Sequence, residues 1–223
     1  MQQKKFILAA ALALAALGAQ AQTAGTWFGG VGLTRIAPDT DSGNLTAPSA
    51  PGTQVDVGAD TKPSLFVGRM LTDHVSVELP IAPSFKSKIR GAGAISGVGT
   101  IGTVRSLPIT LFAQYRFLEP TARFRPYVML GLTYAYFYGE RGSAALNGVN
   151  PANPPGGNTQ LDVDSRFGLT PGLGVTASIN ERWFVDLQYA KSFLKTKTTL
   201  STGQTISTKL NPNVYRIAVG VRF

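Results

Sequence analysis

The sequence predicts an all-β protein, an eight-stranded antiparallel transmembrane up-and-down β-barrel with short turns at one end and long loops at the other. Three observations carry this reading. Segments of about ten residues alternate in period two, as tilted membrane-spanning strands do. The connections between these segments are short and long by turns. Beyond the N-terminus no apolar run approaches the ~20 residues that a membrane-spanning helix needs, so a membrane protein of this composition has only a closed barrel open to it.

The chain opens with Met1, Lys4 and Lys5, runs through an apolar stretch from Phe6 to Leu17 and closes on Ala19, Gln20 and Ala21. This is the basic, apolar and small-x-small order of a secretory leader. Residues 1–21 are therefore expected to form a cleaved signal peptide, and residues 22–223 the barrel domain. The alternative, a membrane anchor, needs a longer apolar run. With no cysteine, an exported chain must be stable without disulfides. Two of the 21 basic residues lie in the leader, leaving 19 against 12 acidic and a net +7. Nucleic acid is the reflex partner for such a charge, but an exported chain rarely meets it; the phosphates of lipopolysaccharide and the outer-membrane lipids suit the placement better.

Each strand follows from its parity. Residues 27–36 place Phe28 and Thr34 on one face; residues 64–71 do the same with Ser64, Phe66 and Met70, and residues 75–82 with Glu78, Pro80 and Ala82. Residues 107–117 align Thr110, Phe112, Gln114 and Arg116. The pattern is clearest over residues 126–138, where Val128, Leu130, Leu132, Tyr134, Tyr136 and Tyr138 oppose Met129, Gly131, Thr133, Ala135 and Phe137. Residues 167–179 carry Thr170 and Thr176 on the inner parity, residues 183–193 carry Phe184, Asp186 and Gln188, and residues 213–223 carry Arg216 and Arg222.

Tight connections at 72–74, 118–125 and 180–182 alternate with long ones at 37–63, 83–106, 139–166 and 194–212, which places both termini and the turns in the periplasm. The proline-rich third loop is expected to be mobile. The glycine-rich run 91–100 follows no parallel strand and opens no βαβ unit, so a loop with a short helical or strand extension explains it better than a phosphate cradle. Aromatic residues gather near the strand ends, as two interfacial girdles require. A soluble barrel would instead turn its larger apolar face inward. The last strand ends on Phe223, like the terminal signature that outer-membrane barrels present to their assembly machinery.

With the strands placed, five segments in register resemble the OmpW family of outer-membrane proteins: residues 31–43, 70–79, 107–117, 126–134 and the ending from Leu210 to Phe223. The resemblance spans nearly the whole chain after the leader. It implies an eight-stranded barrel in the outer membrane with a narrow, largely apolar channel for small hydrophobic or detergent-like molecules, and no enzymatic chemistry. In the family pattern Pro80 and Phe167 occupy positions that could constrict the channel, although parity turns Phe167 outward. The chain departs from the pattern over residues 82–89, where a histidine is expected after Phe85.

If the large apolar parity faces lipid, the other lines the interior. Phe66, Pro80, Phe112, Met129 and Phe137 then line an apolar funnel, and Glu78, Arg116, Asp186 and Arg222 form a charged floor near the periplasmic end, where two acids and two bases can pair. Such a floor disfavours an apolar solute, so passive uptake would need a sideways exit into the bilayer, with Pro80 and Pro171 as the places where a wall ladder is weakest. The alternative is a structural or interaction barrel whose inward side chains fill it as a plug. Catalysis finds little support. His74, the only histidine, falls in a turn and is expected to be a solvated surface group. Metal and cofactor sites are not expected either: there is no cysteine, and the spacing of Asp39, Asp41, Asp56 and Asp60 fits no defined calcium loop.

Overall fold

The structure, a computed structural model, describes residues 22–223; the expected leader lies outside them. Eight strands form the wall: β1 (Trp27–Ala37), β4 (Asp60–Met70), β5 (Val75–Ile81), β7 (Thr100–Arg116), β8 (Phe124–Gly142), β10 (Arg166–Ser178), β11 (Trp183–Lys191) and β14 (Asn213–Arg222). Every neighbouring pair is antiparallel, and β14 returns to β1 from Phe28↔Arg222 to Ala37↔Asn213, so the sheet closes on itself. Closure leaves the ring no free edge, the condition for a sheet in hydrocarbon.

The wall is inverted relative to a soluble barrel. Along β8, Val128, Leu130 and Leu132 are exposed while Arg125, Tyr127, Met129 and Thr133 between them are buried. Outward apolar residues continue around the ring through Leu33, Leu65, Leu111, Leu173, Leu187 and Ile217. Rings bound this band at both ends: Trp27, Tyr115, Phe117 and Trp183 at the turn end, and Tyr136, Tyr138, Tyr189 and Tyr215 toward the loop end.

The wall strands begin and end within about four residues of their expected bounds, except that β7 begins at Thr100 rather than near 107, at the loop end. The long connections hold more order than expected. A second sheet at the loop end runs β2 (Asp41–Ser42), β13 (Thr205–Lys209), β12 (Lys195–Leu200), β9 (Leu161–Val163), while β3 (Thr53–Val57) pairs with β6 (Phe85–Gly93) and β6 with the upper part of β7. The glycine-rich run thus becomes a strand extension and turn. In the third loop the helix α1 (Ala144–Val149) is capped by the Ser143 hydroxyl and buries Leu146. His74 is not merely solvated: its ring stacks on Tyr115 and its Nδ1 lies 2.9 Å from the carbonyl oxygen of Arg116.

Candidate functional site

The interior divides by height. At the turn end it is solid. Phe28, Phe66 and Phe184 meet ring to ring with centroids 6.2–6.5 Å apart, packed with Met70 and Ala218. Inward phenylalanines sit across from inward glycines on the next strand, as in Phe28↔Gly68 and Phe112↔Gly131. At Gly131 a Cβ would come within 2.7 Å of the Phe112 ring, so glycine there is what lets the ring lie against the wall.

A polar layer interlocks with these rings. Arg216 Nη1 lies 2.7 Å from Glu78 Oε1, an ion pair without an aligned hydrogen bond, and its Nη2 donates to Asp186 Oδ1 at 3.1 Å. The Tyr127 hydroxyl donates to Asp186 at 3.1 Å, as does the Thr176 hydroxyl. The expected pairing of Glu78 and Asp186 with Arg116 and Arg222 is therefore corrected: Arg216 takes both acids. Arg116 instead donates to Ser76, Gln114 and Thr176 and lies over the rings of Phe28 and Tyr127. Arg222 donates to the Ser178 hydroxyl and the carbonyls of Asn180 and Glu181. Arg125 binds Gln22 and the Asp73 carbonyl, closing the turn end. A void of about 10 Å³ remains between Gln22, Arg116 and Arg222, the room of roughly one water.

Above Phe112 the same ring is hollow. A cavity of about 180 Å³ rises from Arg216, Gln188 and Phe112 to the loop sheet. Its walls are Thr34, Ser64, Thr110, Thr133, Ala135, Thr170 and Ser192, with Phe137 and Val104 higher up; its roof is Leu146, Leu161, Leu200 and Ile206 from the ordered loops. An apolar cavity of ~150 Å³ in another protein accommodates benzene, so this one suits a small apolar molecule.

Of the five residues expected to line a funnel, Pro80, Phe112 and Phe137 border the cavity. Phe66 belongs to the ring cluster below, and Met129 packs with Tyr127 and Ala190. Phe167 points outward, 68% exposed and against Tyr134, so it constricts nothing. The loop-sheet residues that close the top escaped the sequence reading, although Thr196, Thr198, Leu200, Ile206 and Thr208 show the period of two that could have found them.

At cavity height the wall's ladders are interrupted on both sides of the segment joining β5 to β6: β4 reaches Asp60 but pairs with β5 only as far as Leu65↔Ile81, and the ladder to β7 also has a gap. Pairing of β5 with β7 ends at Glu78↔Phe112, and pairing of β6 with β7 begins at Phe85↔Ser106. Residues 79–84 and 107–111 face each other without a ladder. Each side carries a proline lacking a backbone donor, Pro80 and Pro108, and both border the cavity. Pro171 does not open the wall: it pairs with Leu130, and a bridge at Leu169↔Phe193 rejoins its other side.

A family model described as OmpW matches residues 23–223. Outer membrane protein W of Escherichia coli (strain K12) is 32% identical over 98% of this chain and all of its own length. The protein of the same name from Vibrio cholerae is 29% identical over the full length of both. Among solved structures, the outer membrane protein OprG of Pseudomonas aeruginosa superposes with a TM-score of 0.80 at 25% identity, covering 92% of this chain and 99% of that one. Family and fold agree on a non-enzymatic barrel of the outer membrane, and the chain belongs to the OmpW family.

Proposed function

We propose that this barrel takes up small hydrophobic molecules passively, admitting them to the cavity from the loop end and releasing them sideways into the bilayer through the unpaired stretch beside Pro80 and Pro108. One observation carries the reading: the apolar cavity stops at a filled, ion-paired floor and borders a break in the wall at that height, lined by two prolines. A solute that prefers hydrocarbon gains nothing by crossing buried arginines, whereas the bilayer beside residues 79–84 offers the solvent it already favours.

In this reading the loops face outward and both termini the periplasm. Lys86, Lys88, Arg105 and Arg141, exposed on the outer wall just beyond the Tyr136–Tyr138 pair, would meet lipopolysaccharide phosphates. The strand ending at Phe223 would engage the barrel assembly machinery. The residue expected to be histidine is Lys86, on that outer wall and not in the cavity.

The test is uptake of a fluorescent apolar probe by purified protein in liposomes, beside a control barrel of equal strand number. Saturable uptake above control is expected; uptake equal to control would favour the structural barrel, to which the filled lower half lends support. The exit route is tested separately. The chain has no cysteine, so Pro108→Cys and Val214→Cys each introduce a unique cavity thiol, the first beside the break and the second across the barrel on β14, which is paired on both sides. A maleimide dissolved in the bilayer should label the Pro108→Cys variant much faster; equal labelling of both would refute the sideways route.

A further inference from the structure

The lower part of the cavity wall carries a belt of hydroxyls across neighbouring strands. Thr110 Oγ1 is 2.8 Å from Thr133 Oγ1, Thr133 Oγ1 is 2.6 Å from Thr170 Oγ1, and Thr170 Oγ1 is 2.7 Å from Ser192 Oγ. All four residues border the cavity. Four hydroxyls carry four protons, and these three bonds use three of them. The fourth proton, on whichever of the four hydroxyls donates none of these bonds, has no side-chain or backbone acceptor among the described residues. Most of the oxygen lone pairs are also unused, since each hydroxyl can accept twice. Thr34 and Ser64 form a shorter pair of the same kind across the cavity, 2.8 Å apart.

The belt lies at a boundary. Above it the lining is mostly apolar, through Ala135, Phe137, Val104 and the loop-sheet leucines, with scattered hydroxyls such as Ser106 and Thr196 among them. Below it Arg216, the one charged residue among the described residues that borders the cavity, is already held by Glu78 and Asp186. Its Thr110 end lies in the unpaired stretch of β7.

Building on the uptake reading, we infer that the preferred solute is an apolar molecule with a single neutral hydrogen-bonding head, an alcohol or a ketone, bound head-down on the Thr110–Thr133–Thr170–Ser192 belt with its tail toward the loops. An alcohol gives its proton to a belt oxygen and accepts the spare belt proton; a plain alkane leaves both unused. A carboxylate would lose its hydration where no uncommitted cation faces it, at a cost that a hydroxyl belt does not offset.

Titration of the purified barrel in amphipol with octane, 1-octanol and octanoate tests this. Octanol is expected to bind about tenfold more tightly than octane, the worth of roughly one net hydrogen bond, and octanoate more weakly than octanol by at least as much. Thr133→Val with Thr170→Val keeps the shape of the wall and should abolish octanol's advantage. Saturable octane binding with no advantage for octanol in the unaltered protein would overturn the head-group inference alone, leaving the hydroxyls a role within the wall only. Absence of saturable binding by octane and octanol alike would sink the uptake reading as well.

Discussion

The turn end and the loop end of this interior are lined by the same eight strands with the same inward parity, yet one end is filled and the other hollow. The difference lies in side-chain volume. Below Phe112 the inward positions hold Phe28, Phe66, Phe184, Met70, Tyr127 and four arginines, which meet across the axis. Above it they hold Ala82, Ser106, Thr110, Thr133, Ala135, Thr170 and Ser192, too short to meet. Strand number fixes a radius near the limit that side chains can fill, so in a barrel of this size the choice between plug and cavity is made residue by residue.

The contrast can be broken from either side. Glu78→Gln attacks the filled half, because Arg216 would keep its burial while losing one of two counterions; about 3–5 kcal/mol of stability should go, read from urea unfolding in lipid bilayers. A loss below about 1 kcal/mol would mean that the floor's ion pairs contribute little to the fold. Ala135→Phe attacks the hollow half by adding volume to an empty space. It should cost less than about 1 kcal/mol, in contrast to the 1–3 kcal/mol of overpacking a dense core, while lowering probe uptake severalfold. If it unfolds the barrel instead, the upper half is packed more tightly than its geometry indicates.

The smallest effect lies outside the membrane, where the first loop is tied to the second. Burial pushes the Asp60 carboxyl up, but hydrogen bonds from the Lys86 and Thr61 amides and the nearby Lys62 ammonium outweigh it and hold the group below its usual 3.8. A carboxylate with a depressed folded pKa stabilises the folded form above its unfolded value and loses that contribution as pH falls through the folded one. Acidification below about pH 4 should therefore speed amide exchange at Lys86 and Thr61 before it affects the wall, and Asp60→Asn should remove the pH dependence. Exchange insensitive to pH after correction for the intrinsic rate would show that the contact does not restrain the loop.

The wall was legible because its signal is strong: a long apolar parity facing lipid and Gly, Ser or Thr opposite it admit one structure. Parity also sorted the inward residues, and it put Phe167 outward against the family pattern. Depth was harder. Placing Arg216 between Glu78 and Asp186 requires the tilt and stagger of the strands, which alternation does not encode. The loop sheet was missed because Thr, Ser and Lys dominate 195–209, and such residues read as loop until the two strands are seen to pair from Lys195↔Lys209 to Thr199↔Thr205. The wall break has a faint sequence signal in Pro80 and Pro108, but Pro171 carries the same signal in a stretch that stays joined.

Trp27 and Phe223 exchange backbone hydrogen bonds of 2.9 and 2.8 Å, and β1 and β14 pair along ten rungs above them. Physically the ring has no first strand. A chain joined by a short linker from Phe223 to Trp27 and reopened in the turn at 72–74 should make the same walls and the same cavity, losing only the Gln22 and Asp73 contacts that close the turn end; sequence order matters to how the ring is assembled, and adjacency alone to what it holds.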